Sequence, residues 1–245
     1  MNPRATLATA LRVLLQLRRD PRTIGLLLLV PTGLLLILDQ LFTSNDPLFQ
    51  RIGPPMLGLF PLIAMFLVTS ITMLRERTSG TLERILTLPI AKLDILFGYG
   101  IAFALVAMVQ ATLVSLVGFG ALDLHAAHST ALVVVLAVAN AVLGMAFGLF
   151  VSAFARTEFQ AVQFLPAFVF PQLLLCGLFV PRSQMAGWLR WISDALPVTY
   201  AYDALARAAD ADALGARFAA DLAVTVGATL FALVLGAATL RRRTA

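Results

Sequence analysis

Long stretches without a charged side chain alternate with short polar segments along this 245-residue chain. Uncharged runs at 52–74, 95–122, 129–155, 159–181 and 222–240 each reach the roughly 18–20 residues that a helix needs to cross a bilayer. A shorter run follows the first arginines and reaches that length only if Asp39 lies at the far interface. The pattern predicts an all-α integral membrane fold with six transmembrane helices, at about 23–42, 54–74, 95–119, 130–154, 159–180 and 219–240.

Residues 3–20 form an amphipathic pattern before the first predicted span. Its apolar stripe contains Leu7, Ala10, Leu14 and Leu17. Arginines gather elsewhere on the helix, although Leu11 and Leu15 fall on the basic side. We expect an interfacial helix along the cytoplasmic leaflet. The alternative is a basic segment that only orients the first span, which we expect to be retained because no small-x-small cleavage site follows it.

Two further segments carry structural signals inside or next to the predicted spans. Small or hydrogen-bonding residues recur every four positions in the fourth span, a spacing that favours close helix packing: Asn140, Gly144, Gly148 and Ser152. Residues 182–204 contain tryptophan and tyrosine, which are typical of a membrane interface. This segment is too polar to span twice, so we predict one or two short helices, broken at Pro197, that either dip into the outer leaflet as re-entrant helices or lie on it.

Composition and charge agree with a membrane location. Hydrophobic residues make up 60% of the chain and charged residues 13%, outside the usual range of soluble proteins. Six spans with a cytoplasmic N-terminus put 13 of the 18 Lys and Arg residues on the cytoplasmic side. We therefore expect a multi-pass membrane protein with both termini cytoplasmic. The net charge of +5 then reflects topology and does not imply nucleic-acid binding.

Several kinds of chemistry lack the residues that they need. The only lysine is Lys92, so the chain contains no Walker A motif for nucleotide binding. The long uncharged runs offer no ionisable residue for an ion relay. His125 and His128 lie in a short loop without a fourth metal ligand, and Cys176 has no disulfide partner. We predict no metal site and no catalytic activity for this chain by itself.

A polar island, "RERTSGTLERILTLP", occupies residues 75–89 between two uncharged stretches. Ser79 and Gly80 can end the preceding span, Glu83 suits the start of a new helix, and Pro89 stops it. This pattern predicts a short amphipathic helix between Gly80 and Pro89 that is tied to a spanning helix at both ends. The alternative is a simple interfacial connector.

Residues 75–100, "RERTSGTLERILTLPIAKLDILFGYG", resemble the cytoplasmic loop of ABC-2 type transporter permeases, particularly small bacterial drug-export subunits of the daunorubicin/doxorubicin-resistance type. A second block, residues 165–205, is similar to the family through a looser pattern of proline, glycine, tryptophan and tyrosine. Cys176 departs from the small hydroxyl residue that many relatives carry before the glycine. Together with the six-span layout, the resemblance covers almost the whole chain.

The resemblance implies one transmembrane domain of an ATP-driven exporter for hydrophobic or amphiphilic compounds. Two copies of a separately encoded P-loop ATPase would carry ATP and Mg²⁺, and a second permease half, identical or related, would complete the complex. No cofactor would bind this chain. Residues 76–88 would be the coupling helix, and the implied ATPase contacts are Glu76, Arg77, Gly80, Thr81, Glu83, Arg84, Arg156 and Glu158.

Aromatic and polar residues of the spans and of the outer segment extend these expectations. The substrate-cavity candidates are Phe60, Phe66, Phe164, Phe168 and Gln172. The outer-gate candidates are Pro181, Trp188, Pro197 and Tyr200. Two alternatives stay open: export of a lipid-linked glycan or another lipid by the same fold, and a membrane scaffold that transports nothing.

Overall fold

The computed structural model describes residues 2–42, 46–81, 84, 87, 92–210 and 214–239. Within these ranges the chain forms helices and turns only. The longer helices are α1 Pro3–Arg18, α2 Pro21–Leu41, α3 Asp46–Thr78, α4 Lys92–Ala121, α5 Thr130–Val151 and α10 Ala216–Ala238. The shorter ones are α6 Glu158–Phe164, α7 Phe170–Leu175, α8 Gly187–Ala195 and α9 Pro197–Ala209.

Five helices of the described chain, namely α2, α3, α4, α5 and α10, are long and apolar enough to cross a membrane. They confirm an all-α integral membrane fold. The predicted span at 159–180 is different, because α6, a π-helical segment Leu165–Val169 and α7 follow one another and the last helical residue is Leu175. Five of the six predicted spans therefore fall in long apolar helices of the described chain, and the six-span layout stays a prediction.

Two prolines explain the interrupted helix. Pro166 and Pro171 cannot donate a backbone hydrogen bond, and the N–H of Phe170 reaches back five residues to the carbonyl of Leu165. The side chain of Gln172 donates to the carbonyl of Phe168 at 3.0 Å. This side-chain donor adds a hydrogen bond to the backbone between the two prolines.

Helix α3 is longer than the predicted span 54–74. Its 33 residues correspond to a length of about 50 Å, whereas the hydrocarbon core of a bilayer is about 30 Å thick. Glu76 and Arg77, which we expected to open the short helix 76–88, belong instead to the last turn of α3. The helix ends before Ser79 and Gly80, as expected, and Gly80 has a φ of 73° that suits glycine. Residues 82, 83, 85, 86 and 88–91 of the predicted short helix and its flank lie outside the described residues.

Helices α3 and α5 run parallel and form the most extensive helix pair of the described chain. A Cβ atom at Gly144 would lie 2.1 Å from the carbonyl oxygen of Leu62, and one at Gly148 would lie 2.5 Å from that of Phe66. The backbones therefore approach too closely for any side chain at these positions. Asn140 and Ser152 are also buried, so the predicted packing stripe is confirmed.

Helix α1 packs on α4 through a face that differs from the predicted apolar stripe. Thr6, Thr9, Ala10 and Val13 are buried, whereas Leu7 is 61% exposed. The small Gly98 of α4 permits this contact, because a Cβ there would lie 2.5 Å from the Cβ of Thr9. Leu7, Leu11 and Leu15 form an exposed apolar stripe instead. Of the predicted stripe, Ala10 is buried, Leu14 and Leu17 are half-buried and Leu7 is exposed, and the position of α1 along a leaflet stays a prediction.

Helix α2 is held to α4 by a buried polar contact. Pro31 lies inside α2 and cannot donate to the carbonyl of Leu27. The side-chain amide of Gln110 on α4 donates to that carbonyl at 2.9 Å.

The bundle has two distinct ends. The α1 end contains α1, the last turn of α3 and the start of α4. The cap end contains α8, α9 and the loop 122–129.

Candidate functional site: a charge cluster at the α1 end

The last turn of α3 directs three consecutive charged side chains toward three other helical elements. Neighbouring residues on a helix do not share a face, so Arg75, Glu76 and Arg77 diverge. Arg75 donates from Nε and Nη2 to the two carboxylate oxygens of Glu158 on α6, at 2.6 and 3.0 Å. Arg77 donates to the hydroxyl and the carbonyl of Thr239, just after α10, at 3.2 and 3.4 Å. Helix α3 is therefore linked to both α6 and α10 at this end.

Glu76 joins α3 to α1 through Arg12. The Nη1 atom of Arg12 donates to both carboxylate oxygens of Glu76, at 3.2 and 3.4 Å. The Nη2 atom donates to the hydroxyl of Tyr99 on α4, and the guanidinium carbon lies 5.5 Å from the centre of that ring. Glu76 is only 6% exposed and Tyr99 only 1%. Because a buried carboxylate needs a partner, Arg12 holds α1, α3 and α4 in one arrangement.

Asp94 provides a second connection to α1 near the start of α4. Its two carboxylate oxygens accept the backbone N–H of Asn2, both at 3.1 Å, and one also accepts the hydroxyl of Thr6 at 3.4 Å. The Asp94 side chain is almost fully buried. Glu76 lies near the start of the polar island and Asp94 follows its end, so α1 contacts the chain on both sides of the segment 79–91.

The expected ATPase contacts fall into two groups in the structure. Glu76 and Arg77 are engaged inside the chain, and Glu158 is paired with Arg75. Arg84 and Arg156 are exposed, Gly80 and Thr81 are partly exposed, and Glu83 lies outside the described residues. The assignment of these residues to an ATPase interface stays a prediction.

Sequence reasoning missed Arg12, Asp94 and Thr239 as members of the cluster. Two sequence signals were available: Arg12 lies near Thr9 and Val13 on α1, and Asp94 begins an otherwise uncharged stretch. Neither signal identifies a partner, because the contacts join residues up to 162 positions apart.

The expected cavity residues lie in two separate places of the described chain. Phe66 is fully buried and stacks on Phe168 with ring centres 6.4 Å apart, and Phe168 meets Phe147 edge-on at 5.2 Å. Gln172 is buried and Phe164 is half-buried. Phe60 is separate from this group and lines a cavity between α1, α2 and α3.

The expected outer-gate residues lie at the cap end. Pro197 begins α9, as predicted, and Tyr200 donates from its hydroxyl to the carbonyl of Asp194 at 2.6 Å. Trp188 is 67% exposed, and Pro181 precedes a short 3₁₀ turn, Arg182–Gln184.

Arg182 organises the charged groups of this cap. It pairs with Asp194 of α8, and with Asp203 of α9 at 2.7 Å. Burial raises the pKa of Asp203 to about 6, while the charge of Arg182 acts in the opposite direction. A second pair joins Arg207 of α9 to Asp221 of α10 at 3.0 Å.

The apolar helices define a multi-pass membrane protein whose charged side chains gather at the two ends of the bundle. A family model described as ABC-2 type transporter matches residues 4–208. The chain belongs to the ABC-2 type transporter family, whose permeases are membrane transport components that normally pair with an ATP-binding subunit.

Three relatives illustrate the similarity. The chain is 31% identical over 166 residues to the "Probable multidrug ABC transporter permease YbhR" of Escherichia coli strain K12, covering 66% of this chain and 45% of that protein. It is 27% identical over 161 residues to "ABC transporter G family member 20" of Dictyostelium discoideum, covering 66% of this chain and 22% of the relative. Member 23 of that family is 24% identical over 149 residues, or 61% of this chain and 21% of the relative. The chain thus matches less than half the length of each of these relatives.

Proposed function

We propose that this chain is the transmembrane permease subunit of an ATP-driven exporter that moves hydrophobic or amphiphilic compounds out of a bacterial cell. ATP and Mg²⁺ are bound by a separately encoded P-loop ATPase, two copies of which act with two permease halves. The observation that supports this proposal most strongly is the charge cluster of the α1 end. Through Glu76 and Asp94 it connects both sides of the segment 79–91 to other helices.

The mechanism begins at the segment 79–91, which contains most of the polar island. In the proposed orientation this segment faces the cytoplasm and receives the movement of the ATPase. Its flanks carry Glu76 and Asp94, which are both bound to α1. A displacement of the island therefore moves α1, α3 and α4 together.

The same displacement reaches two further elements of the bundle. Arg75 connects the end of α3 to Glu158 at the start of α6, and Arg77 connects it to Thr239 after α10. The interrupted helix α6–α7 contains a π-helical segment, a feature often found at functional sites. It is a suitable element to change shape when α3 moves.

Docking contacts of the ATPase are assigned to exposed residues in this proposal. Arg84 follows the break at Gly80, and Arg156 precedes α6; both side chains are accessible. Charged contacts of this kind determine register and partner choice more than affinity. Glu76, by contrast, is buried and acts by positioning α1.

The substrate class rests on two observations. One relative carries the word multidrug in its name, and the spanning helices of this chain are dominated by aliphatic side chains. A conduit for a glycan would instead require a wide polar or aromatic lining. Transport of lipids by the same machinery and a scaffold without transport are outcomes that the following experiment distinguishes.

The test is coexpression of the chain with the P-loop ATPase encoded beside its gene, followed by copurification and reconstitution into liposomes. We expect drug-stimulated ATP hydrolysis and ATP-dependent accumulation of a fluorescent amphiphile in inverted vesicles. The variant Arg84→Glu should reduce stimulated hydrolysis about tenfold, because it places a repulsive charge at the docking surface. Arg190→Glu makes the same change on exposed α8 at the cap end and should leave hydrolysis unchanged.

Failure of any P-loop ATPase to associate would favour the scaffold. Stimulation by lipid alone, with no movement of the amphiphile, would favour lipid export. Equal activity of the Arg84→Glu and native complexes would remove Arg84 from the docking surface.

A further inference from the structure

A cavity of about 620 Å³ lies between α1, α2 and α3. Its volume falls within the range of roughly 300–1,000 Å³ that is common for small-molecule sites. The cavity runs along α2 from Asp20 to Leu34, a distance of about 20 Å. It therefore extends from the α1 end toward the middle of the membrane-spanning part.

The walls of this groove are apolar over most of its length. Helix α3 contributes one side chain or more from each turn: Phe60, Ile63, Ala64, Leu67, Val68 and Ile71. Helix α2 lines the opposite side through residues such as Leu26, Val30 and Leu34, which are partly exposed. The contact of Gln110 with the Leu27 carbonyl holds this part of α2 against α4.

Charged groups line only the α1 end of the groove, and they do not balance. Arg12 is paired with Glu76, which leaves that carboxylate neutralised. Arg75 is engaged by both carboxylate oxygens of Glu158. The same arginine also acts on Asp20, so that one guanidinium faces two carboxylates. The charged groups that line the mouth and their direct partners therefore comprise three carboxylates, of Asp20, Glu76 and Glu158, and two guanidinium groups, of Arg12 and Arg75.

Asp20 is positioned and ionised. Its carboxylate caps α2 by accepting the backbone N–H of Thr23 at 3.2 Å and the hydroxyl of Thr23 at 2.6 Å. These hydrogen bonds hold the pKa of Asp20 below its ordinary value. Arg19 and Arg22 are neighbours in sequence, but they are exposed and do not line the groove.

We propose that the groove between α1, α2 and α3 binds a lipophilic cation, with its apolar groups against Phe60, Ile63 and Leu67 and its positive charge beside Asp20. Apolar walls with one fixed charge give this selectivity, because burial favours the hydrocarbon part and the carboxylate favours the cation. The site lies within a single chain and opens toward the leaflet on the side of the α1 end. The idea that the groove carries exported cargo rests on the proposed export function. The binding of a lipophilic cation does not depend on that function.

Binding of radiolabelled tetraphenylphosphonium to the purified full chain in phosphatidylcholine nanodiscs tests this site. Tetraphenylborate has the same shape and the opposite charge, so it reports the charge preference directly. Asp20→Asn should weaken phosphonium binding about tenfold, since asparagine keeps the helix cap but removes the charge. Asp39→Asn removes a carboxylate from the other end of α2 and should leave binding unchanged.

A second pair of variants tests the location by volume. Ala64→Trp fills the groove and should abolish phosphonium binding, whereas Ala223→Trp makes the same change on the exposed side of α10 and should have no effect. If the charge of Asp20 is accessible to solvent, 1 M salt should remove the difference between the native protein and Asp20→Asn. The Debye length at that ionic strength is only about 3 Å, so the attraction between the carboxylate and the phosphonium is screened.

Three results would overturn the proposal. One is binding that is insensitive to both Asp20→Asn and Ala64→Trp. Another is tighter, Asp20-independent binding of tetraphenylborate. The third is the absence of phosphonium binding by the native protein, which would indicate that a lipid or a second copy of the chain fills the groove permanently. Because the assay contains no ATPase, failure of ATP-driven export would leave the site standing, and failure of binding would leave export untouched.

Discussion

The two ends of the bundle use ion pairs in different ways. At the α1 end, Arg12–Glu76 and Arg75–Glu158 join residues 64 and 83 positions apart. At the cap end, Arg182 reaches carboxylates only 12 and 21 positions away. The first set connects elements that are far apart in the sequence, whereas the second set closes a local unit of short helices. We therefore expect a disturbance at the α1 end to spread and one at the cap end to remain local.

The largest effect is expected for Arg12→Met, because it leaves the buried carboxylate of Glu76 without its cation. We expect a loss of about 3 kcal/mol in the free energy of unfolding, measured by SDS titration in mixed micelles. Hydrogen exchange should increase in α1, α3 and α4 together. This result would identify Glu76 as a positioning residue, whose carboxylate keeps α1 and α4 connected to α3 through Arg12.

Two variants sharpen this prediction. Arg18→Met removes an exposed arginine from the same helix and should cost little. The double variant Arg12→Met with Glu76→Met should recover most of the loss, since two apolar groups of similar size can replace a buried pair. Equal losses for Arg12→Met and Arg18→Met would refute a special role for the pair.

A smaller and more local effect is expected for Arg182→Met at the cap end. Asp203 is about one-fifth exposed and would lose its cation, which should cost about 2 kcal/mol. Increased hydrogen exchange should be confined to residues 182–209, while α1 and α4 stay protected. Arg190→Met on exposed α8 is the matched control. Exchange that also rises in α1 would contradict the separation of the two ends.

The pH dependence of the cap offers a third comparison. Burial raises the pKa of Asp203 to about 6, above its value in the unfolded chain. The folded state then binds a proton more tightly between about pH 4 and pH 6, so stability rises as pH falls through this window. We expect a gain of about 1 kcal/mol, after allowance for partial exposure, in SDS titrations at pH 7 and pH 5. Asp203→Asn should remove this gain, and a gain that persists in the variant must come from another group.

Much of the fold was accessible from the sequence, because it depends on local patterns. Uncharged runs locate five long helices, and the stripe from Asn140 to Ser152 identifies the face of α5 that packs on α3. The length of α3 was not accessible, because the polar residues near Asp46 and Arg51 read as a loop. The π-helical segment was also missed, since proline spacing indicates a disturbed helix without specifying its hydrogen bonds.

The site was less predictable than the fold for a physical reason. The sequence indicated the polar island and its charges, but the partner of each charge depends on which helices become neighbours. Glu76 was assigned to an outside partner, and its side chain is buried against Arg12. Asp94 had no assigned role, although it holds the backbone of Asn2. Pairs so distant in sequence leave no periodic signal.

The smallest expected effect concerns Arg75–Glu158, which differs from Arg12–Glu76 mainly in exposure. Its side chains are 57% and 52% exposed, so water and salt screen the attraction. A double-mutant cycle with Arg75→Gln and Glu158→Gln should give a coupling of about 0.5 kcal/mol that vanishes in 1 M salt. The Arg12–Glu76 cycle in the same buffer should keep most of its coupling. If both cycles had equal and salt-sensitive couplings, the α1 end would be a screened surface and could not hold its helices more firmly than the cap does.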